Sequence, residues 1–201
     1  MHISPGQMPA KAKSSDLFLP LLIAILTLTF WTAISQGLSL ILTFALAMVV
    51  ALFCYYKFTY PRNSNYAPLA PLYFFALGIQ FLHFAEEFIT GFHIRWPVEI
   101  FHAAPYDTNA FLLVNMVSYF FFTCAGIAMI KGIKFPLVIA WFFIIMGVCI
   151  QAVQHTIYAL MVGGYFPGLY TSLVCYILGP ILLSRMVKLS KQSHSSGGNN
   201  E

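Results

Sequence analysis

Charge is the scarcest property of this sequence. Lys and Arg number 10 and Asp and Glu 6 among 201 residues, 8% in all, where a soluble domain carries about 25%. That shortage excludes an ordinary soluble globular domain. With 60% hydrophobic residues and 17% aromatic ones, the chain reads as an integral membrane protein of one domain. The net charge of +4 is spread along the chain and gathers on no face, so nucleic acid is excluded as a partner. Cysteine is sparse as well. Cys54, Cys124, Cys149 and Cys175 sit singly in apolar runs with no CxxC pair, which excludes a disulfide framework or a thiolate zinc site and leaves them as small buried hydrophobes. No repeat relates the first three apolar runs to the last three, and many transporters show one.

What the sequence has in abundance is apolar runs. Six are long enough to span a bilayer: 17–34, 38–56, 72–90, 110–130, 135–161 and 169–187. They predict an all-α, polytopic transmembrane helix bundle over 16–189, between a tail at 1–15 and a disordered Gly/Ser/Asn-rich tail at 190–201. Ala33-Ile34-Ser35 resembles a signal-peptidase site. The run before it is longer than a usual signal core, so it is read as an uncleaved helix. The loop 91–109 carries Trp96, Phe101 and Tyr106 and is expected at the interface, as a short amphipathic helix. Gly179-Pro180 is expected to kink the last span.

Six spans put both termini on one side. Lys11, Lys13, Lys57, Arg62, Lys131, Lys134, Arg185, Lys188 and Lys191 then share that side, and Arg95 alone faces the other. The asymmetry makes the termini cytoplasmic and suits a bacterial inner (plasma) membrane.

The polar exceptions to these runs carry the functional reading. Gln80, His83, Glu86, Glu87 and Thr90 fall in the third run, and residues three and four apart share a helical face. Ionisable groups at such a depth are costly and mark function by default. At 1.5 Å per residue, His83 and Glu87 lie roughly 5 to 10 Å from the outer helix end. Asn115 early in the fourth span, Gln151, Gln154, His155 and Tyr158 late in the fifth, and Thr171 at the start of the sixth fall at the same depth. The inner halves of these helices are nearly all apolar.

Imidazole and carboxylate together suit zinc, iron or manganese. The preferred arrangement uses His83, Glu87 and His155 as metal ligands, with Glu86 as general base for a bound water, so that Glu86, Glu87 and His83 form the catalytic set. Asn115, Gln154 and Thr171 would orient those ligands, and His93 and His102 are reserve ligands. This points to a metal-dependent hydrolase acting on a membrane lipid or lipid-soluble small molecule. A metal-free acid/base enzyme of isomerase, hydratase or cyclase type remains an alternative, as does a binding or structural network without chemistry. Blander readings suffice elsewhere. Trp31 and Trp96 fit the outer interface and Trp141 lies nearer the inner one. Glu99 and Asp107 read as solvated loop charges, and His2 and His194 belong to the tails.

His83-Phe-Ala-Glu86-Glu87 matches the motif of the HXXEE-domain family of small, functionally uncharacterised membrane proteins. Asn115, His155, Tyr165-Phe-Pro-Gly168-Leu-Tyr-Thr171 and Pro180 follow in an order that resembles the family's later pattern. The resemblance covers about residues 65–187 and leaves the first helix as an addition to the core. It implies a membrane fold and a shared polar site.

Overall fold

A computed structural model describes residues 13–192, and within them the chain is helical with no strand. Both outer tails, with His2, Lys11 and His194, lie outside the described residues. The helices are α1 (Ser15–Trp31), α2 (Gly37–Thr59), α3 (Ala67–Ile89), the short α4 (Phe92–Arg95, continued by a π turn at Trp96–Ile100), α5 (Thr108–Lys131), α6 (Leu137–Val162) and α7 (Leu169–Gln192). Five of them, α2, α3, α5, α6 and α7, are long and apolar enough to cross a membrane. Their outward faces carry large hydrophobic residues such as Phe75, Leu160 and Ile177, so this is an integral membrane protein.

The first run differs from its expected length. Its helix stops at Trp31, and residues 32–34 form a turn whose N–H groups bond back to Thr29, Phe30 and Trp31. At 17 residues it reaches about 26 Å, short of the ~30 Å hydrocarbon core.

Local sequence sets the helix ends. Pro68 and Pro71 occupy the opening turns of α3, where a missing N–H is harmless. Asp107 caps α5 by accepting from the Ala110 N–H at 2.8 Å. It therefore does more than sit as a solvated loop charge. Glu99 pairs with Arg95 at 2.6 Å, and Arg95 lies over the Phe166 ring, which ties α4 to the loop between α6 and α7. α7 runs through Pro180 and beyond Val187 to Gln192. Gly179 permits its close approach to α6, because a Cβ there would lie 2.9 Å from Cys149 Sγ and 3.3 Å from its Cα.

α6 is the central helix. Of its most apolar stretch 67% is buried, against 33–44% for the other four spans. A π segment at Phe143–Ile150 lies in its middle. Such a segment adds a residue to each turn and so rotates whatever follows it, here Gln151 and His155, both buried.

The three tryptophans are interior residues. Trp31 stacks on Phe44 at 3.9 Å, Trp96 is buried beside Phe92, and Trp141 donates to Thr59 Oγ1 at 2.9 Å. Their rings pack inside the bundle rather than toward its outward faces. Thr59, Tyr66 and Ser190 continue the Trp141 contact as a buried hydroxyl network. That network ties the end of α7 to the end of α2 and the turn before α3. The four cysteines are free.

Candidate metal centre

Two helices bring the three donors together. His83 and Glu87 lie one turn apart on α3, and His155 reaches them from α6. All three are buried, at 0%, 7% and 3% exposure. Glu87 Oε1 stands 3.3 Å from His83 Nε2 and 3.3 Å from His155 Nε2. One ligand atom from each residue lies within 4.8 Å of the others.

Hydrogen bonds at the far side of each imidazole decide what faces the centre. His155 Nδ1 lies 2.7 Å from the Pro167 carbonyl. A carbonyl only accepts, so Nδ1 carries the proton. His83 Nδ1 lies 2.8 Å from Thr171 Oγ1. The single Thr171 hydroxyl proton is already directed at Glu86 Oε2, 2.6 Å away, so Thr171 accepts from His83. In the neutral imidazoles both Nε2 atoms are therefore lone-pair donors. Two lone pairs and a carboxylate oxygen converge, and His83 Nε2 has no hydrogen-bond partner. Such an arrangement calls for a cation or protons between the groups.

The spacing fits a metal. In a tetrahedral shell with bonds of 2.0–2.1 Å, neighbouring ligand atoms are about 3.3–3.4 Å apart. The two nitrogen–oxygen distances of 3.3 Å match that edge. A metal held by two His and one Glu would keep a fourth position open, as catalytic zinc sites do and closed structural ones do not.

Glu86 stands apart from this group. Its two oxygens accept from Tyr165 Oη (2.8 Å), Tyr170 N (3.1 Å), Thr171 N (2.9 Å) and Thr171 Oγ1. It caps the first turn of α7 from a neighbouring helix, where a carboxylate also suits the helix dipole. Burial, with the Glu86 carboxylate alongside, raises the Tyr165 phenol above its ordinary value, so Tyr165 stays protonated and donates. The general-base position expected for Glu86 is not where the structure puts it. One residue along a helix is a rotation of about 100°, which turns Glu86 to α7 while Glu87 faces α6. The chain Glu86–Thr171–His83 instead orients an imidazole, as outer-shell carboxylates do in metal sites.

The remaining expected residues separate into two groups. Asn115 and Gln154 line a cavity of ≈ 90 Å³ that also touches Glu87 and His155. Asn115 Nδ2 donates to Phe111 O within its own helix. Gln80 donates to Gln151 Oε1 at 2.8 Å on the same wall. His93 is packed between Phe88 and Phe111, and His102 lies on an exposed turn with φ of 53°. Neither joins the cluster.

Backbone supplies what the side-chain pattern did not show. Besides the Pro167 carbonyl, Gly168 roofs both imidazoles. Its φ is +86°, and a Cβ there would stand 2.6 Å from His155 Cε1 and 2.7 Å from His83 Cε1. The signal for these roles is the Pro167-Gly168 pair itself, which places a turn immediately before a helix.

A family model described as a protein of unknown function with HXXEE motif matches residues 73–183. That segment contains all three converging donors, Glu86 and Thr171. Comparison with curated proteins and with solved structures returns no match.

Proposed function

The chain belongs to the HXXEE family, and from its own geometry we propose that it is a membrane-embedded, metal-dependent hydrolase of a lipid or lipid-soluble substrate. The observation that carries this reading is the convergence of His83 Nε2, His155 Nε2 and Glu87 Oε1 with both Nδ1 atoms held as donors elsewhere. Zinc, iron or manganese suits that donor set. Such an ion supplies a Lewis acid and lowers the pKa of a water towards about 7. The protein residues do the rest. Thr171 and the Pro167 carbonyl fix the imidazoles, Glu86 fixes Thr171, and Glu87, a residue of the cavity wall, takes the water proton on its second oxygen. The water oxygen bonds to the substrate carbonyl carbon, the carbon–heteroatom bond breaks, and the leaving heteroatom receives the proton.

The proposal extends to placement. Six spans, with α1 counted as a short one, put both termini in the cytoplasm of a bacterial inner membrane. The basic residues support this, nine on one side against Arg95 on the other.

A second reading rests on the same two 3.3 Å contacts. Protons shared between Glu87 and the imidazoles would make a metal-free acid/base site of isomerase, hydratase or cyclase type. Metal analysis separates the two. Tag-free protein in mild detergent is analysed by mass spectrometry for bound transition metals, beside His83→Ala. Near-stoichiometric metal in the wild type, lost in the variant, is expected. Folded wild type that takes up no zinc, iron or manganese when supplied would refute the hydrolase reading.

A further inference from the structure

A second cavity, of ≈ 520 Å³, runs between α1, α5 and the start of α6. That volume falls in the range of about 300–1,000 Å³ typical of small-molecule sites. Its walls are almost wholly apolar. Trp31, Ser118, Phe122 and Phe142 line both this space and the smaller, more polar cavity beside the metal centre, so the two adjoin there. At the far end stand Ile23, Cys124, Phe135 and Ile139. The groove has this direction because α1 and α6 run opposite to α5. It also has an opening: α1 packs on α2 and α6, and α5 packs on α3 and α6, which leaves the groove in the gap between α1 and α5.

We propose that this groove takes one acyl chain of a membrane lipid, with the carbonyl that joins chain to headgroup lying in the polar cavity. The inference deepens the hydrolase reading and rests on it for the placement of the carbonyl. A long apolar slot that ends in a small polar chamber matches the shape and polarity of an acyl chain attached to a polar linkage. The chamber has an unmet group for that linkage. Gln80 is 6% exposed, lines the chamber, and its Oε1 has no partner. It would accept from a hydroxyl or amide N–H next to the carbonyl. Leaving a buried acceptor unpaired is costly, so the chamber favours an amphiphile over a plain hydrocarbon.

Photolabelling tests the proposal without turnover. Two palmitoyl lysophospholipids are used, one with a diazirine at the chain terminus and one with it beside the carbonyl. The terminal probe should label Ile23, Cys124 and Phe135–Ile139, and the proximal probe Trp31, Ser118 and Phe122. Unlabelled palmitoyl lysophospholipid should compete with both. Ser118→Trp, which fills the junction, should remove the proximal labels, and Ile139→Trp the terminal ones, with metal content as in wild type. Uncompeted labelling of the outward-facing Phe75, Leu160 and Ile177, or labelling unchanged in both variants, would overturn the proposal. Metal content of the same samples keeps the two readings apart. Groove labelling without metal defeats the hydrolase alone, and metal without groove labelling defeats the acyl-chain site alone.

Discussion

Replacing Gly168 by Ala tests the metal centre through the backbone. The residue sits at φ +86°, a conformation that costs a side chain about 1–2 kcal/mol. The new Cβ would also press on both imidazoles, 2.6 Å and 2.7 Å from their Cε1 atoms. Overpacking of that kind costs about 1–3 kcal/mol. If the rings hold their places, Gly168→Ala should lose about 2–5 kcal/mol of stability. If the rings yield, the loss moves to metal affinity, where displaced outer contacts typically cost about 10–100-fold. Gly163 provides the control. Its φ is +72°, and nothing lies within 4 Å of the Cβ it would gain. Gly163→Ala should show the backbone cost alone, about 1–2 kcal/mol, with unchanged metal binding. The assay is denaturant unfolding in detergent together with zinc titration for both variants. Equal stability loss and equal affinity in the two would refute the idea that Gly168 is the roof of the histidine pair.

Thr171→Val should weaken zinc binding by about 10–100-fold because it removes the acceptor for His83 Nδ1. Thr171→Ser should restore most of the affinity, and a titration across the three proteins reads both. A chelator should lower the unfolding temperature of metal-loaded wild type and leave His155→Ala unaffected, since a ligand present at 100 times its Kd adds about 2.7 kcal/mol. Gly179→Ala should destabilise the bundle by about 1–3 kcal/mol through Cys149, with metal content intact, which thermal unfolding and metal analysis together check.

Helical spacing made much of this site readable in the sequence. His83 and Glu87 are four residues apart, and a polar stripe singled out His155. The same spacing misplaced Glu86, because adjacent residues on a helix face different neighbours, and only the position of α7 decides which carboxylate meets which partner. Hydropathy located five of the spans. It carries no information about direction around a helix axis, so it left open that Trp31 and Trp96 turn into the bundle. The contributions of Pro167 and Gly168 come from a carbonyl and from the lack of a Cβ; the Pro-Gly pair marks a turn but not which side chains that turn covers. The π segment at Phe143–Ile150 is equally silent, since its residues are as apolar as any other stretch of α6.

The converging donors all lie within residues 73–183, whereas Trp31, Thr43 and Phe44 reach the cavity wall from α1 and α2, outside that segment. Part of the cavity wall is thus written outside the stretch that carries the donors. Exchanging the first two helices for another apolar pair would reshape the chamber and leave the donors where they stand. Changes confined to that part of the wall would alter what the cavity admits without touching a donor.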